Sequence, residues 1–176
     1  MGCRVRRQGR TGKVARGFPF SRHHRIPATM QSRDEISDDP YAGWTLWRGK
    51  HPNRFSELLG PYYFRRDEAG VIRCKMETGV QHMNGLGFLH GGFLMAFIDQ
   101  VMFAVVRHRL TPTVGAVPLS CDTHFLGSGR ANRVLDGTGE IMKETGKMLF
   151  VRGMLSQDGE PVCAYTGTLR KVTREA

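Results

Sequence analysis

Nine residues, Asn84-Gly85-Leu86-Gly87-Phe88-Leu89-His90-Gly91-Gly92, lead directly into fourteen, Phe93 to Val106, among which Asp99 and Gln100 are the only polar side chains. An ionised carboxyl in such apolar surroundings is costly unless it is paired. Asp99 is therefore either held by nearby backbone or by Gln100, or it is a base whose hold on a proton is raised by its setting. Gly91 and Gly92 stand where a helix would begin, and the first amides of a helix have no partner within it. With no side chains in the way, a carbonyl oxygen can approach those N–H groups and develop negative charge there. A tight turn packed against a neighbouring strand would call for the same glycines. Asn84 and His90 add polar side chains to the turn.

The spacing sets a condition on any joint chemistry. Asp99 lies eight residues after Gly91, about 12 Å along one helix at about 1.5 Å per residue. No small reacting group touches both. If amide and acid serve one reaction they come from two copies of the chain, and a two-fold axis then gives two intersubunit sites per dimer.

The elements that must hold these groups follow from pattern. The apolar run reads as a helix buried on most of its faces. It is shorter than the roughly 18 apolar residues of a membrane span, and an acid interrupts it, so no membrane association is expected. It ends near Arg107-His108-Arg109, where basic residues suit a helix C-terminus. Upstream, Phe55-Ser56-Glu57-Leu58-Leu59 forms a short helical turn stopped by Gly60-Pro61. Tyr62-Tyr63-Phe64 opens a strand, residues 67–70 turn it, and residues 71–80 alternate as the next. Downstream come strands at 114–126, 134–143, 147–156 and 162–172, with tight turns at Gly127-Ser128-Gly129, Glu144-Thr145-Gly146 and Gln157-Asp158-Gly159-Glu160. Pro118 marks an edge or a bulge in the first of the four. One apolar helix served by one antiparallel sheet predicts an α+β domain in which the sheet wraps around the helix, the hotdog arrangement.

At 176 residues the chain fits one domain comfortably. Its formal charge of +10 is local: residues 1–29 hold eight Lys and Arg and no acid, leaving 18 basic against 16 acidic residues elsewhere. The expected division is a disordered basic tail over 1–29, an N-terminal extension over 30–49 with Trp44 and Trp47 as anchors, and the folded domain over 50–176. The tail has no apolar core of a secretory signal, and Arg6 stands where a myristoylation start needs Ser or Thr. It reads as an arm for an anionic surface, as a transit peptide, or as upstream sequence ahead of Met30. The polar, acidic residues after Met30 suit a solvated N-terminus and favour the last. Cys3, Cys74, Cys121 and Cys163 form no C-x-x-C pair, so neither zinc nor a disulfide framework is indicated, and a cytoplasmic setting suits them. His82 and His90 flank the turn but are too few to hold a metal, and none is expected.

Taken together, Asn84-x-x-Gly87-x-x-His90-Gly91-Gly92, with Asp99 nine residues beyond the histidine, resembles the signature of the PaaI-like acyl-CoA thioesterases of the hotdog superfamily. Phe55 to Gly60 resembles the family's short first helix. His124-Phe125-Leu126 and Gly146-Lys147-x-Leu149 fit its later strands, so the likeness covers about residues 50–172. The resemblance implies that Asp99 serves as general base for water or as nucleophile, and that the Gly91 amide polarises the thioester carbonyl. It implies that Asn84 orients water or substrate, and that His90 supports the turn and the carbonyl site. It further implies an acyl-CoA substrate, no separate cofactor, no nucleic-acid partner, and a homodimer or homotetramer with sites across the interface. Gly92 and Phe88 at the turn, and Arg130 and Lys147 toward the phosphates of coenzyme A, are the expected substrate contacts. One position departs: the Ser or Thr often found early in the strand after the helix corresponds here to Pro118, which offers no donor. Ser120 stands two residues on.

The reaction fits the residues, since thioester hydrolysis needs a base and donors at the developing oxyanion. No G-x-S-x-G elbow is present, and hairpins after the helix speak against a dinucleotide loop at Gly85-x-Gly87. Two other readings stay open. One is an enoyl-thioester hydratase or dehydratase with His90 and Asp99 as acid and base, and the other is a non-catalytic anion-binding protein. The acyl group is not fixed, because Phe88, Phe93, Met95 and Phe97 can line a pocket or fill the core.

Overall fold

A single antiparallel sheet and one long helix make up most of the computed structural model, which describes residues 40–47 and 55–173. In chain order the elements are β1 (Thr45–Trp47), α1 (Phe55–Leu58), β2 (Tyr62–Arg66), β3 (Ile72–Glu77), a 3-10 turn at Val80–His82, and α2 (Gly91–Val106). A second 3-10 turn at Arg107–Arg109 leads to β4 (Val114–Phe125), β5 (Val134–Glu144), β6 (Met148–Gln157) and β7 (Glu160–Thr173). The sheet order is β1-β2-β3-β5-β6-β7-β4, and every neighbouring pair is antiparallel. This is the hotdog arrangement.

α2 buries Phe93, Phe97, Val101 and Val105 along one stripe and Leu94, Ile98 and Met102 beside it. At roughly 2 kcal/mol for each large apolar side chain removed from water, that face is the main force docking the helix. Close approach needs bare backbone beneath it. A methyl group on Gly137 would stand 2.7 Å from the Val101 side chain, and one on Gly167 would overlap the Met102 sulfur. Gly153 faces the Thr138 carbonyl and the Tyr165 ring in the same crowded way.

Several elements differ from the sequence reading. β1 lies within the stretch read as a polar extension and pairs with β2, Thr45 opposite Phe64 and Trp47 opposite Tyr62. Trp47 packs on Tyr62 at 5.6 Å between ring centres, and Trp44 lies under the Arg65 guanidinium at 4.6 Å, so both tryptophans do anchor the segment. The strand expected over 71–80 stops at Glu77, because the Thr78 hydroxyl turns away to the carbonyls of Arg130 and Arg133 at 2.9 and 2.7 Å. The helix starts at Gly91, within the glycine pair where the sequence placed its beginning, and nine of its sixteen residues are buried. Met95, 46% exposed, and half-buried Asp99 and Gln100 mark the side that the sheet leaves open.

Pro118 sits both on an edge and at a bulge. β4 is the last strand of the sheet, and its register with β7 shifts between Pro118 and Ser120. The expectations for residues 1–29, and for those parts of 30–49 and 50–176 that fall at 30–39, 48–54 and 174–176, lie outside the described residues.

Candidate active site

The turn before α2 is built by its own side chains. Asn84 Oδ1 accepts from the amides of Leu86 at 2.9 Å and Phe88 at 3.2 Å, and the Asn84 amide donates to the Phe88 carbonyl at 2.7 Å. Gly87 supplies the positive φ of +79° that closes it. The turn is pinned from outside by Leu89 N–H to the Gly129 carbonyl and His90 N–H to the His82 carbonyl, both 2.8 Å. The Asn84 carbonyl oxygen is thus engaged in the loop rather than presented to a ligand.

His90 caps the helix. Its Nδ1 accepts from the Gly92 amide at 2.9 Å, which leaves Nε2–H as the outward donor of the neutral ring. A methyl on Gly92 would press on that ring at 3.1 Å, so a larger residue there would shift the exposed ring by a few tenths of an ångström. With Gly92 committed, the Gly91 N–H has no acceptor among the described residues. It lies half-buried at the N-terminus of α2 beside the Phe125 ring, where positive partial charge gathers.

Beneath the turn, buried His82 is structural. Its Nδ1 accepts from Gly79 N–H, its Nε2 meets the Leu59 carbonyl at 2.9 Å, and its ring stacks on Phe93 at 4.1 Å. Burial lowers its pKa. Among the described residues no group of three or more His, Cys, Asp or Glu is placed to hold a metal ion.

Asp99 stands two turns further along unbroken α2, so its separation of about 12 Å from Gly91 holds within one chain. Burial raises its pKa. Gln100 Nε2 donates to Asp99 Oδ2 at 3.2 Å, and the Tyr62 hydroxyl donates to Gln100 Oε1 at 2.8 Å. The sequence suggested the first contact and missed the second, because Tyr62 lies on a different element, 38 residues away.

Of the remaining expected contacts, Phe88 and Arg130 are brought together, the guanidinium 5.5 Å above the ring beside the glycine turn. Buried Gln157 holds Arg130 there, accepting from its amide at 2.7 Å and donating to its carbonyl at 3.0 Å. Lys147 is not in that group. It lies on the β5–β6 hairpin, about 30 Å away by the length of β5 at about 3.3 Å per residue. There it borders a groove of about 600 Å³ with Arg109, Thr111, Arg170 and Lys171. Glu144 accepts from both Arg109, at 3.2 Å, and Lys171, while Arg170 and Lys147 have no carboxylate partner among the described residues.

Pro118 pairs with buried Leu169, so it occupies the helix-facing side of β4. Ser120 pairs with Thr168 on the other face and cannot substitute for a hydroxyl there. A further concavity, about 460 Å³, lies over Thr138, Met154 and Ala164 on the sheet face away from α2; the acid that lines it, Glu140, is paired with Arg152 at 2.6 Å. Among the described residues no helix is long and apolar enough to cross a membrane.

Residues 86–164 match the family described as the thioesterase superfamily. No curated protein matches the sequence. A putative thioesterase, a phenylacetic acid degradation-related protein from Ralstonia eutropha JMP134, is similar with a TM-score of 0.59 and 28% identity, over 64% of this chain and 86% of its own. The PaaI protein of the E. coli phenylacetic acid degradation operon gives 0.59 and 19%, over 66% and 83%. A hypothetical thioesterase with coenzyme A from Streptococcus pneumoniae TIGR4 gives 0.56 and 23%, over 65% and 91%. Fold and matched segment converge on the hotdog-fold thioester hydrolases. The segment that matches the thioesterase superfamily, residues 86–164, runs from the glycine turn through α2 into β7.

Proposed function

We propose that the chain is an acyl-CoA thioesterase whose site forms between two copies, with the Gly91 amide of one and Asp99 of the other. The observation that carries this is the Gly91 N–H, without an acceptor among the described residues, on the same helix as an acid of raised pKa and too far from it to share one substrate. Midway between them is Met95, 46% exposed, where two helices related by a two-fold axis would cross. β4 supports the same axis. It is a twelve-residue edge strand carrying Val117, Leu119 and Phe125 at 41, 56 and 55% exposure, a surface that natural proteins cover.

In this arrangement the thioester carbonyl oxygen accepts from Gly91 N–H as it becomes an oxyanion. Asp99 of the other copy either takes a proton from an attacking water or attacks the carbonyl carbon itself, in which case water afterwards cleaves the resulting mixed anhydride to the free acid and restores the carboxylate. Collapse of the tetrahedral adduct breaks the C–S bond, and the departing thiolate takes up a proton from solvent. Antiparallel pairing of the β4 edges brings the Val114 end of one copy to the Phe125 end of the other. The groove of Arg109, Lys147, Arg170 and Lys171 then faces its neighbour's glycine turn, with Phe88 and Arg130 at the rim, and suits the phosphates of coenzyme A. Lys147 and Arg130 would thus meet one substrate only across the interface.

The His90 cap limits the hydratase reading without removing it. Its Nδ1 lone pair is engaged by Gly92 N–H, so the ring offers only a donor at Nε2, and Asp99 would have to be the base there as well. The test is thiol release from a panel of aliphatic and aromatic acyl-CoAs by wild type and Asp99→Ala. Turnover that disappears in the variant, with oligomeric state unchanged, supports the proposal. Loss of the double bond of a crotonyl thioester without thiol release would replace it with the hydratase.

A further inference from the structure

We infer that Tyr62 and Gln100 are positioning residues that hold one oxygen of the Asp99 carboxylate and so present the other to the reacting water or carbonyl. The inference rests on the reading of Asp99 as the reacting acid.

The contacts run in one direction. A carboxylate only accepts, so Gln100 must present Nε2 to Asp99 Oδ2, and its Oε1 then faces Tyr62, whose hydroxyl donates. Tyr62 is a fixed point for this chain of contacts. It is 1% exposed, and its ring is wedged between Trp47 at 5.6 Å and Phe97 at 6.2 Å. Burial raises the pKa of its phenol well above the ordinary range, so it remains a donor at every pH at which the protein works. Without that donor the Gln100 amide could turn its oxygen toward the carboxylate, where like partial charges repel.

β2 thereby sets the orientation of a side chain on α2. Asp99 Oδ2 is engaged, and Oδ1 has no donor among the described residues. Pro118 sharpens the point: the strand position that resemblance would give to a hydroxyl has none, and Gln100 is the one side-chain donor to Asp99 among the described residues. The titratable and charged groups acting on Tyr62 besides Asp99 are Cys74 on β3, Arg107 beyond α2 and Glu57 on α1.

The test is a titration of the Asp99 carboxyl by carbon-13 NMR in the full chain, with Asp99→Asn assigning the resonance. It compares wild type, Tyr62→Phe, Gln100→Leu and the double variant, and needs no substrate. Gln100→Leu is expected to move the midpoint up by about one pH unit, as for loss of one hydrogen bond to a charged group. Tyr62→Phe, which removes no direct contact to Asp99, should move it the same way by a smaller amount. The double variant should go no further than Gln100→Leu alone. Where thiol release is measurable, kcat should fall about tenfold in Gln100→Leu with KM held, and the acidic limb of kcat/KM should follow the carboxyl midpoint. A midpoint unchanged in Tyr62→Phe, or strictly additive shifts, overturns the inference. Shifted midpoints in a protein that releases no thiol would sustain the positioning role and sink the thioesterase reading; thiol release lost in Asp99→Ala with unmoved midpoints would do the reverse.

Discussion

Burial raises the proton affinity of Asp99, because its ionised form is solvated less well in the folded chain than in the unfolded one. A folded value above the unfolded one stabilises below about pH 3.9, and that contribution is lost as pH rises through the raised value. Above the raised value the charge is therefore a burden, one that the proposed chemistry requires. Asp99→Asn should lower thiol release by about 10²- to 10⁴-fold, the range for a lost general base. It should also raise the thermal midpoint by about 2 °C. A variant both inactive and less stable would mean that the acid is structural. His82 has the opposite sign. Its lowered value means that its contribution is present above about pH 6.5 and is lost as pH falls through the folded value. The urea midpoint should decline from pH 7 to pH 5, with a shallower slope in His82→Gln. Some slope will remain, because burial and the neighbouring Arg66 and Arg109 lower His108 in the same way. An unchanged slope in His82→Gln would show that His82 does not set the acid sensitivity.

Among the elements, the helix and the hairpins were legible because each announces itself within a few residues: an unbroken apolar run, a glycine pair, an Asp-Gly turn. β1 was not, since three residues carry no period and Trp47 reveals itself only against Tyr62 and Phe64 of β2. The amide and acid of the candidate site could be read from spacing along one helix. The hydroxyl of Tyr62 and the gap between Arg130 and Lys147 could not, because sheet order decides both. The glycines of β5, β6 and β7 carried a signal that sequence pattern alone does not decode. They sit where α2 or Tyr165 comes closest, and Gly153 is the most confined, facing the Thr138 backbone as well as the Tyr165 ring. Backbone cannot step aside as a flexible side chain can. Gly153→Ala should therefore cost about 3 kcal/mol, at the upper end for overpacking, although alanine is otherwise the better strand residue. Gly146→Ala, with open space around its added methyl, is the control. Equal stability of the two variants in chemical denaturation would refute the close-packing account.

For the whole molecule, the proposed function depends on two copies, and a complementation experiment tests that dependence directly. Asp99→Ala removes the acid. Gly91→Pro removes the opposing donor with little other disturbance: Gly91 is the first residue of α2, where proline is well accepted, and His90 already has the extended conformation, φ −66° and ψ 132°, that a following proline requires. The ring carbons would meet Phe125 at about 3.2 Å, and that side chain is 55% exposed and free to turn. Each variant alone should be inactive. In a heterodimer purified through two different tags, one site receives both substitutions and the other receives neither. The intact site joins the Gly91 amide of the Asp99→Ala chain to the Asp99 carboxyl of the Gly91→Pro chain. Such heterodimers should recover about half the wild-type rate per dimer, with the wild-type KM, because one of two sites is whole. A site contained within a single chain gives a different result. Every chain then carries a lesion, and the heterodimer stays as inactive as its parents. Recovery would place Gly91 and Asp99 on opposite sides of one interface, the arrangement their separation along α2 demands if both act on one thioester.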